Sequence, residues 1–398
     1  MQRYILNIDW LTLYGSHSMA LAKEAFLPEK LRQAAREERE RRMHETARED
    51  MQEECVEFLG CMQHYFGNII LDVQEYGTRQ YNAMFHVYLG RELFGYLQAY
   101  PRVSTIEPDA FRLKIANYWL YQPDCWQQLA YVLGTLHLAP KAISRLDIAA
   151  DFNTFEEDLH PLEFIRRFMS GEIKKKGRSE GQVYFEQSYS YSQKDARFKD
   201  TLCFNGLTIG KRTSDAHCYL YNKTKELKEQ VKKPWIEECW SQAGLDVDDV
   251  WRLEVSLTSD ALKLNDKETG ETVHFGLANL TGQDTSMDMH RLYHIMVRSL
   301  FFFFYPTGQH NISREKMINL FGEEIDFSRS VLRGCNPSDR AERTLIKTLH
   351  VLRQRYRLVT VDEEHYARKM ARKLAETMRL SEWYDEHKDY WRKEKLKV

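Results

Sequence analysis

The chain has 398 residues, 43% of them hydrophobic, with 57 Lys and Arg against 59 Asp and Glu for a formal net charge of −2. Such a length and apolar fraction build a real core in one large domain or two to three ordinary ones, and exclude a mainly disordered chain. No apolar run approaches the roughly 20 residues of a membrane-spanning helix, and seven cysteines without a C-x-x-C pair argue against a disulfide framework, so a reducing cytoplasm is expected.

The opening MQRYILNIDW reads as the start of a strand rather than a signal or transit peptide. Tyr4 to Tyr14 alternates as a half-buried strand, with Ile8 and Trp10, and Leu6 beside them, expected on one face. From Ala20 to about Tyr65 the pattern is helical and carries the run EKLRQAAREERERRMHETAREDMQEE, read as a solvated helical insertion with no assigned function. Cys55 and Cys61 in it match no zinc spacing. Ile69–Tyr76, Tyr81–Leu89, Glu92–Tyr100 and Phe111–Tyr118 read as strands, with Gly77 and Gly90 at turns. Asp124 is placed to cap a helix running to His137, Ala142–Phe152 is a strand, and Pro161–Met169 begins a helix.

Glu172–Asp200, rich in Lys, Gly, Ser and Gln, reads as a mobile loop or a loosely held ribbon. Leu202–Ile209 and His217–Tyr221 pair around Gly210-Lys211-Arg212, a helix starts near Thr224, and Trp251–Thr258 is a further strand. Beyond Ser286 the pattern is wholly helical: Met287–Tyr305, Ser313–Phe321, Ser338–Arg357 and Asp362–Lys395. The expected architecture is α+β: an antiparallel-sheet domain over 1–280, with 20–65 a helical insertion, and an all-helical region over 281–398 for DNA binding or dimerisation. Charge follows this division unevenly, at +7 over 160–233 and +6 over 340–398 on an acidic remainder. A basic centre and tail suit a polyanion, although solvated helix faces look the same.

Three strands carry chemistry. In Arg145-Leu146-Asp147-Ile148-Ala149-Ala150-Asp151, alternation puts Arg145, Asp147, Ala149 and Asp151 on one face. Paired carboxylates suit a hard divalent cation rather than zinc. Trp251 to Leu257 repeats the arrangement with Arg252, Glu254 and Ser256, and the arginines suit carboxylate or phosphate binding. The same residues equally compose a salt-bridge ladder, and convergence of Asp147, Glu254 and Tyr221 in space separates the readings. In the third strand Tyr219 and Tyr221 share a face, followed at once by Lys223 and Lys225, cations that could lower a phenol pKa and contact a phosphate.

Taken in order, Ile8-Asp9-Trp10-Leu11-Thr12, SRLDIAADF, GKRTS with YLYNKTKE, and WRLEVSL resemble the replication initiation factor family of rolling-circle plasmids and phages, over about 1–260. The motif R-hydrophobic-D-hydrophobic-A-x-D falls on Arg145 to Asp151. The G-R-x-S turn and Y-N-K fall on Gly210, Arg212, Ser214 and Tyr221-Asn222-Lys223, and R-x-E falls on Arg252 and Glu254. The resemblance implies a bacterial replication initiator or relaxase that nicks one DNA strand at an origin. Tyr221 would be the nucleophile, with Tyr219 the alternative, leaving a 5′-phosphotyrosyl link and a free 3′-hydroxyl.

It further implies Mg²⁺ or Mn²⁺ held by Asp147 and Glu254, with Asp151 a third ligand, and phosphate neutralisation by Lys223 and Arg252. Arg145, Lys211, Arg212 and Lys225 would meet DNA. Expected partners are single-stranded and duplex origin DNA, a host helicase (no Walker motif occurs here) and a second copy in a homodimer, with no membrane. Tyr184, Phe185, Tyr189 and Tyr191 are candidates to stack on bases, or are ordinary aromatic pairs of an edge ribbon. The alternative is a non-catalytic DNA-binding replication or copy-control protein of the same fold, which has no need of Tyr221, Asp147 and Glu254 together.

Overall fold

In the computed structural model of the chain, residues 4–21, 23–46, 59–176, 181–192, 197–229, 232–266, 272–308, parts of 315–331, and positions 372, 376 and 385 are described. The chain divides into two units, Met1–Val331 and Leu332–Val398.

Apolar residues at every second position drive the first unit into strands. β1 (Tyr4–His17) is followed by α1 (Pro28–Thr46) and a meander of β2 (Met62–Phe66), β3 (Ile69–Val73), β4 (Tyr81–Leu89), β5 (Glu92–Pro101) and β6 (Ala110–Ile115). The short α2 (Asn117–Leu120) and α3 (Cys125–Thr135) lead into β7 (Leu138–Phe152). Next come α4 (Pro161–Ser170), β8 (Lys174–Lys175), β9 (Gly181–Ser192), β10 (Arg197–Ile209), β11 (Ala216–Asn222), α5 (Lys223–Glu229), α6 (Pro234–Ala243) and β12 (Trp251–Thr258). The unit closes with β13 (Lys263–Asp266), β14 (Thr272–His274), α7 (Leu277–Leu280), α8 (Met289–Leu300), β15 (Phe303–Phe304) and β16 (Arg329–Val331).

Among the described residues, eleven strands form one sheet in the order β2-β3-β4-β5-β6-β1-β7-β12-β11-β10-β9. All its pairings are antiparallel. Leu146, Ile148, Ala150 and Phe152 of β7, with Leu253, Val255 and Leu257 of β12, turn one face into the main core. Leu129 and Val132 of α3, Phe164 of α4, and Leu292 and Met296 of α8 join the same core. Each of the larger side chains among them contributes about 1.5–3 kcal/mol on burial, which commits the alternate positions of β7 and β12 to the opposite face. A smaller cluster of Leu227, Ile236, Trp240, Leu245 and Val250 packs with Ile5 and Tyr121.

Several expectations change. β1 pairs Ile8 with Ile148 but Trp10 with Asp147, so Asp9 is the extra residue of a β-bulge. Ile8 faces the core and Trp10 the opposite side, not one face as plain alternation predicts. The helix expected over 20–65 does not reach 65, because Met62–Phe66 is a strand paired with β3 across Gly67, whose φ is +61°; α1 is described over Pro28–Thr46. Glu172–Asp200 contributes β8 and most of the β9–β10 ribbon.

Beyond Ser286 the chain is not wholly helical. After α8, Phe303 and Phe304 pair with β8 and Phe304 bridges to Met317, so the described part of 313–321 is not a helix. Aromatics favour such half-buried strands, and Phe303 packs on Phe164 and Phe168. The first unit thus runs to Val331, past a division near 280. The helices expected at 338–357 and 362–395 lie outside the described residues, apart from helical positions 372, 376 and 385. Among the described residues no helix is long and apolar enough to cross a membrane.

Candidate active site

The three chemistry-bearing strands are neighbours: β7 pairs with β12, and β12 with β11. Register puts Asp147 opposite Ser256, Ala149 opposite Glu254, and Asp151 opposite Arg252. On the other edge of β12, Tyr219 lies opposite Glu254 and Tyr221 opposite Arg252. The bulge in β1 adds Asp9 and Trp10 to the same face.

Arg252 is the hub. Its guanidinium is fully buried and donates from Nε and Nη2 to the two oxygens of Asp151 at 2.6 and 2.7 Å, and from Nη1 to Asp9 at 2.5 Å. Tyr121 Oη lies 3.0 Å from Nη2, and Trp240 Nε1 donates to Asp151 at 2.8 Å. Burial alone would raise the Asp9 carboxyl, but Arg252 and Lys223 outweigh it and hold the group at about 2. Asp147 is matched separately: Arg145 donates to both its oxygens at 3.0 and 2.5 Å, and Ser256 Oγ donates at 2.6 Å. Two arginine–aspartate pairs are therefore the salt-bridge arrangement that the sequence left open.

Glu254 differs from these aspartates. Burial, then repulsion from Asp9 and Asp147, pushes its carboxyl up to about 7 against the pull of Arg252 and Lys223. Tyr221 Oη donates to Glu254 Oε2 at 3.1 Å, and Lys223 Nζ lies 3.4 Å from the same phenol oxygen while also pairing with Glu226. Burial, then Glu254, holds the Tyr221 phenol well above its ordinary value, and burial lowers Lys223. Local sequence makes this cluster. Asn222 Oδ1 accepts the Lys225 backbone N–H at 2.7 Å, capping α5 immediately after Tyr221 and placing Lys223 in the first turn. Gly206, opposite Tyr221 on β10, makes room for Tyr219: a Cβ there would meet its ring at 2.5 Å.

Beside this cluster a cleft of about 310 Å³ is lined by Arg145, Arg212, Tyr219, Glu254, His217 and Ser256, among others. Tyr219 lines it, and its ring stacks on Tyr221 at 4.6 Å between centroids; Tyr221 itself is only 7% exposed. Trp10 packs on one residue of the cleft wall, with Arg145 at 4.3 Å and Lys114 at 3.4 Å from its ring centre. Of the four residues expected to meet DNA, Arg145 and Arg212 line the cleft; Lys211 is exposed on the β10–β11 turn, and Lys225 sits on α5, 3.8 Å from Glu229. Tyr184, Phe185, Tyr189 and Tyr191 lie on β9, with side chains outside the described ones.

The side chains as placed do not fit a divalent ion held jointly by Asp147, Glu254 and Asp151. Both aspartates are forked by arginines, Asp151 is fully buried beside Trp240, and among the described residues no three His, Cys, Asp or Glu group to hold a metal. Arg252, fully buried between Asp9 and Asp151, is likewise a scaffold cation rather than one presented to a phosphate in the cleft. Sequence reasoning assigned no role to Asp9, Tyr121, Trp240 or Lys114. Asp9 stands in the opening motif, yet nothing local gives it a partner, and nothing local marks Tyr121, Trp240 or Lys114; a bulge, the loop after α2, α6 and β6 bring them in.

No family model matches the chain, and no curated protein matches it. Among solved structures it is similar to one described as a rolling circle replication initiator protein from Geobacillus stearothermophilus, at 12% identity and a TM-score of 0.39, covering 79% of this chain and 92% of that one. A likeness of that degree leaves the chemistry to be argued from the side chains.

Proposed function

We propose that the chain is a DNA strand-nicking and strand-joining replication initiator or relaxase with a tyrosine nucleophile. The observation that carries this reading is the Tyr221 phenol held between a base and a cation, with Glu254 at 3.1 Å and Lys223 at 3.4 Å. Glu254, poised at about 7, accepts the phenol proton, and Lys223 stabilises the phenolate. The phenolate oxygen attacks phosphorus, and the bond from phosphorus to the 3′ oxygen breaks. That oxygen leaves with the electron pair and takes a proton from water, giving a 5′-phosphotyrosyl link and a 3′-hydroxyl. Reversal rejoins the strand without ATP. Arg145 and Arg212 are the cations that the cleft offers to phosphate.

A second assignment of the nucleophile, Tyr219, is favoured by one observation: it lines the cleft and Tyr221 does not. The test is incubation with labelled single-stranded oligonucleotides from the protein's genetic neighbourhood in Mg²⁺ or Mn²⁺, then denaturing electrophoresis and mass spectrometry. A protease-sensitive adduct on the Tyr219–Tyr221 peptide is expected, and its residue decides between them. DNA binding without any adduct would support the non-catalytic alternative.

Two further outcomes follow. Glu254 acts only when ionised, so single-turnover cleavage rises with pH through about 7, and Glu254→Gln removes that limb. The stability consequence has the opposite sign. The folded-state value is above the ordinary 4.5, so the stabilisation is complete below 4.5 and lost as pH rises through about 7. Arg212→Ala weakens single-strand binding across sequences and lowers the slope of log affinity against log salt by roughly 0.7, one phosphate contact, in a fluorescence titration. An unchanged slope would remove Arg212 from the DNA path.

A further inference from the structure

On the core side of the sheet, away from Tyr221, two histidines of α8 meet the first strand. His290 and His294 are four residues apart, so both rings project from one side of the helix. Their Nε2 atoms lie 2.8 and 3.0 Å from a single atom, Oη of Tyr4. The imidazole centroids are 4.5 Å apart, His294 is 8% exposed, and Phe321 packs on both Tyr4 and His294. Tyr4 pairs with core-facing Phe152 in β7, whereas the next residue, Ile5, pairs with Asp151 of the site described above. The histidine cluster and the nicking site therefore belong to opposite faces.

We propose that Tyr4, His290 and His294 form a binding site for a borderline divalent transition-metal cation such as Zn²⁺. The paired imidazoles at i and i+4 carry two nitrogens of the donor type that zinc prefers, each within 3.0 Å of the phenol oxygen that supplies the third donor. A tetrahedral zinc with ligands at about 2.0–2.1 Å places its donor atoms about 3.3 Å apart. The contacts of 2.8 and 3.0 Å therefore open by only a few tenths of an ångström to admit the ion. Binding ties the first strand to a helix 286 residues later in sequence, so the ion stabilises the folded state over the unfolded one.

The experiment titrates Zn²⁺ into the metal-stripped full chain by calorimetry and follows thermal unfolding with and without it. The wild-type chain takes up one equivalent and its Tm rises by roughly 3–10 °C. His290→Ala, an exposed position whose loss leaves the core intact, loses that equivalent and the rise, and Tyr4→Phe binds more weakly. No uptake by the wild type would show the cluster to be only a hydrogen-bond relay, with Tyr4 Oη donating to one imidazole and accepting from the other. Equal binding by His290→Ala or by Tyr4→Phe would also overturn the proposal. None of these readouts depends on DNA cleavage.

Discussion

Under the proposed mechanism Tyr221→Phe abolishes covalent attachment to a nicked strand and lowers cleavage by about 10⁴-fold or more, because there the phenol oxygen forms the new bond. The ring stays stacked on Tyr219, so the change removes only the hydrogen bonds to Glu254 and Lys223. Folding stability falls by about 1–3 kcal/mol, because the buried Glu254 carboxyl loses a donor, and oligonucleotide affinity is unchanged. Denaturing electrophoresis, circular dichroism and fluorescence titration of one preparation separate these effects. Retained attachment in Tyr221→Phe, lost in Tyr219→Phe, would transfer the role to Tyr219. Retention in both variants would sink the tyrosine reading.

Arg252→Met has the largest effect on the fold. It keeps the length of the side chain but strands Asp151 and Asp9, which both depend on the buried guanidinium. Removing one partner from a buried ion pair costs about 3–5 kcal/mol, a large share of the 5–15 kcal/mol that holds a typical domain folded. Denaturant unfolding measures the loss. Its pH dependence is a second signature. The folded-state value of Asp9, about 2, lies below its ordinary 3.8, so its stabilisation is present above 3.8 and lost as pH falls towards 2. In Arg252→Met that acid-labile contribution is gone, so the gap between variant and wild type narrows at low pH. A near-neutral substitution would mean that water, rather than Arg252, compensates these carboxylates.

Much of this arrangement was legible in particular residues. Period-two alternation set Arg145, Asp147 and Asp151 on one face of β7, and Arg252, Glu254 and Ser256 on one face of β12, because burying Leu146, Ile148, Leu253 and Val255 leaves no other choice. The Y-N-K step was legible as a strand end, and Asn222 caps the helix that follows. The strand Met62–Phe66 was not, since a run of charge along a helical pattern does not mark where the next strand begins.

The chemical inventory and the face on which each strand presents it are local properties, determined by alternation and capping within a few residues. Which carboxylate is pushed upward and bonded to Tyr221 was decided only in three dimensions. Asp147 and Asp151 carry the same motif as Glu254, yet each is forked by an arginine, while Glu254 sits over Ala149 with Tyr221 as its hydrogen-bond partner. That difference depends on register across β7, β12 and β11, on one extra residue at Asp9, and on α6 delivering Trp240 to Asp151. Charges interact through space over a few ångströms, and residues 101 and 243 positions apart become first neighbours of Arg252 only when the sheet closes around it.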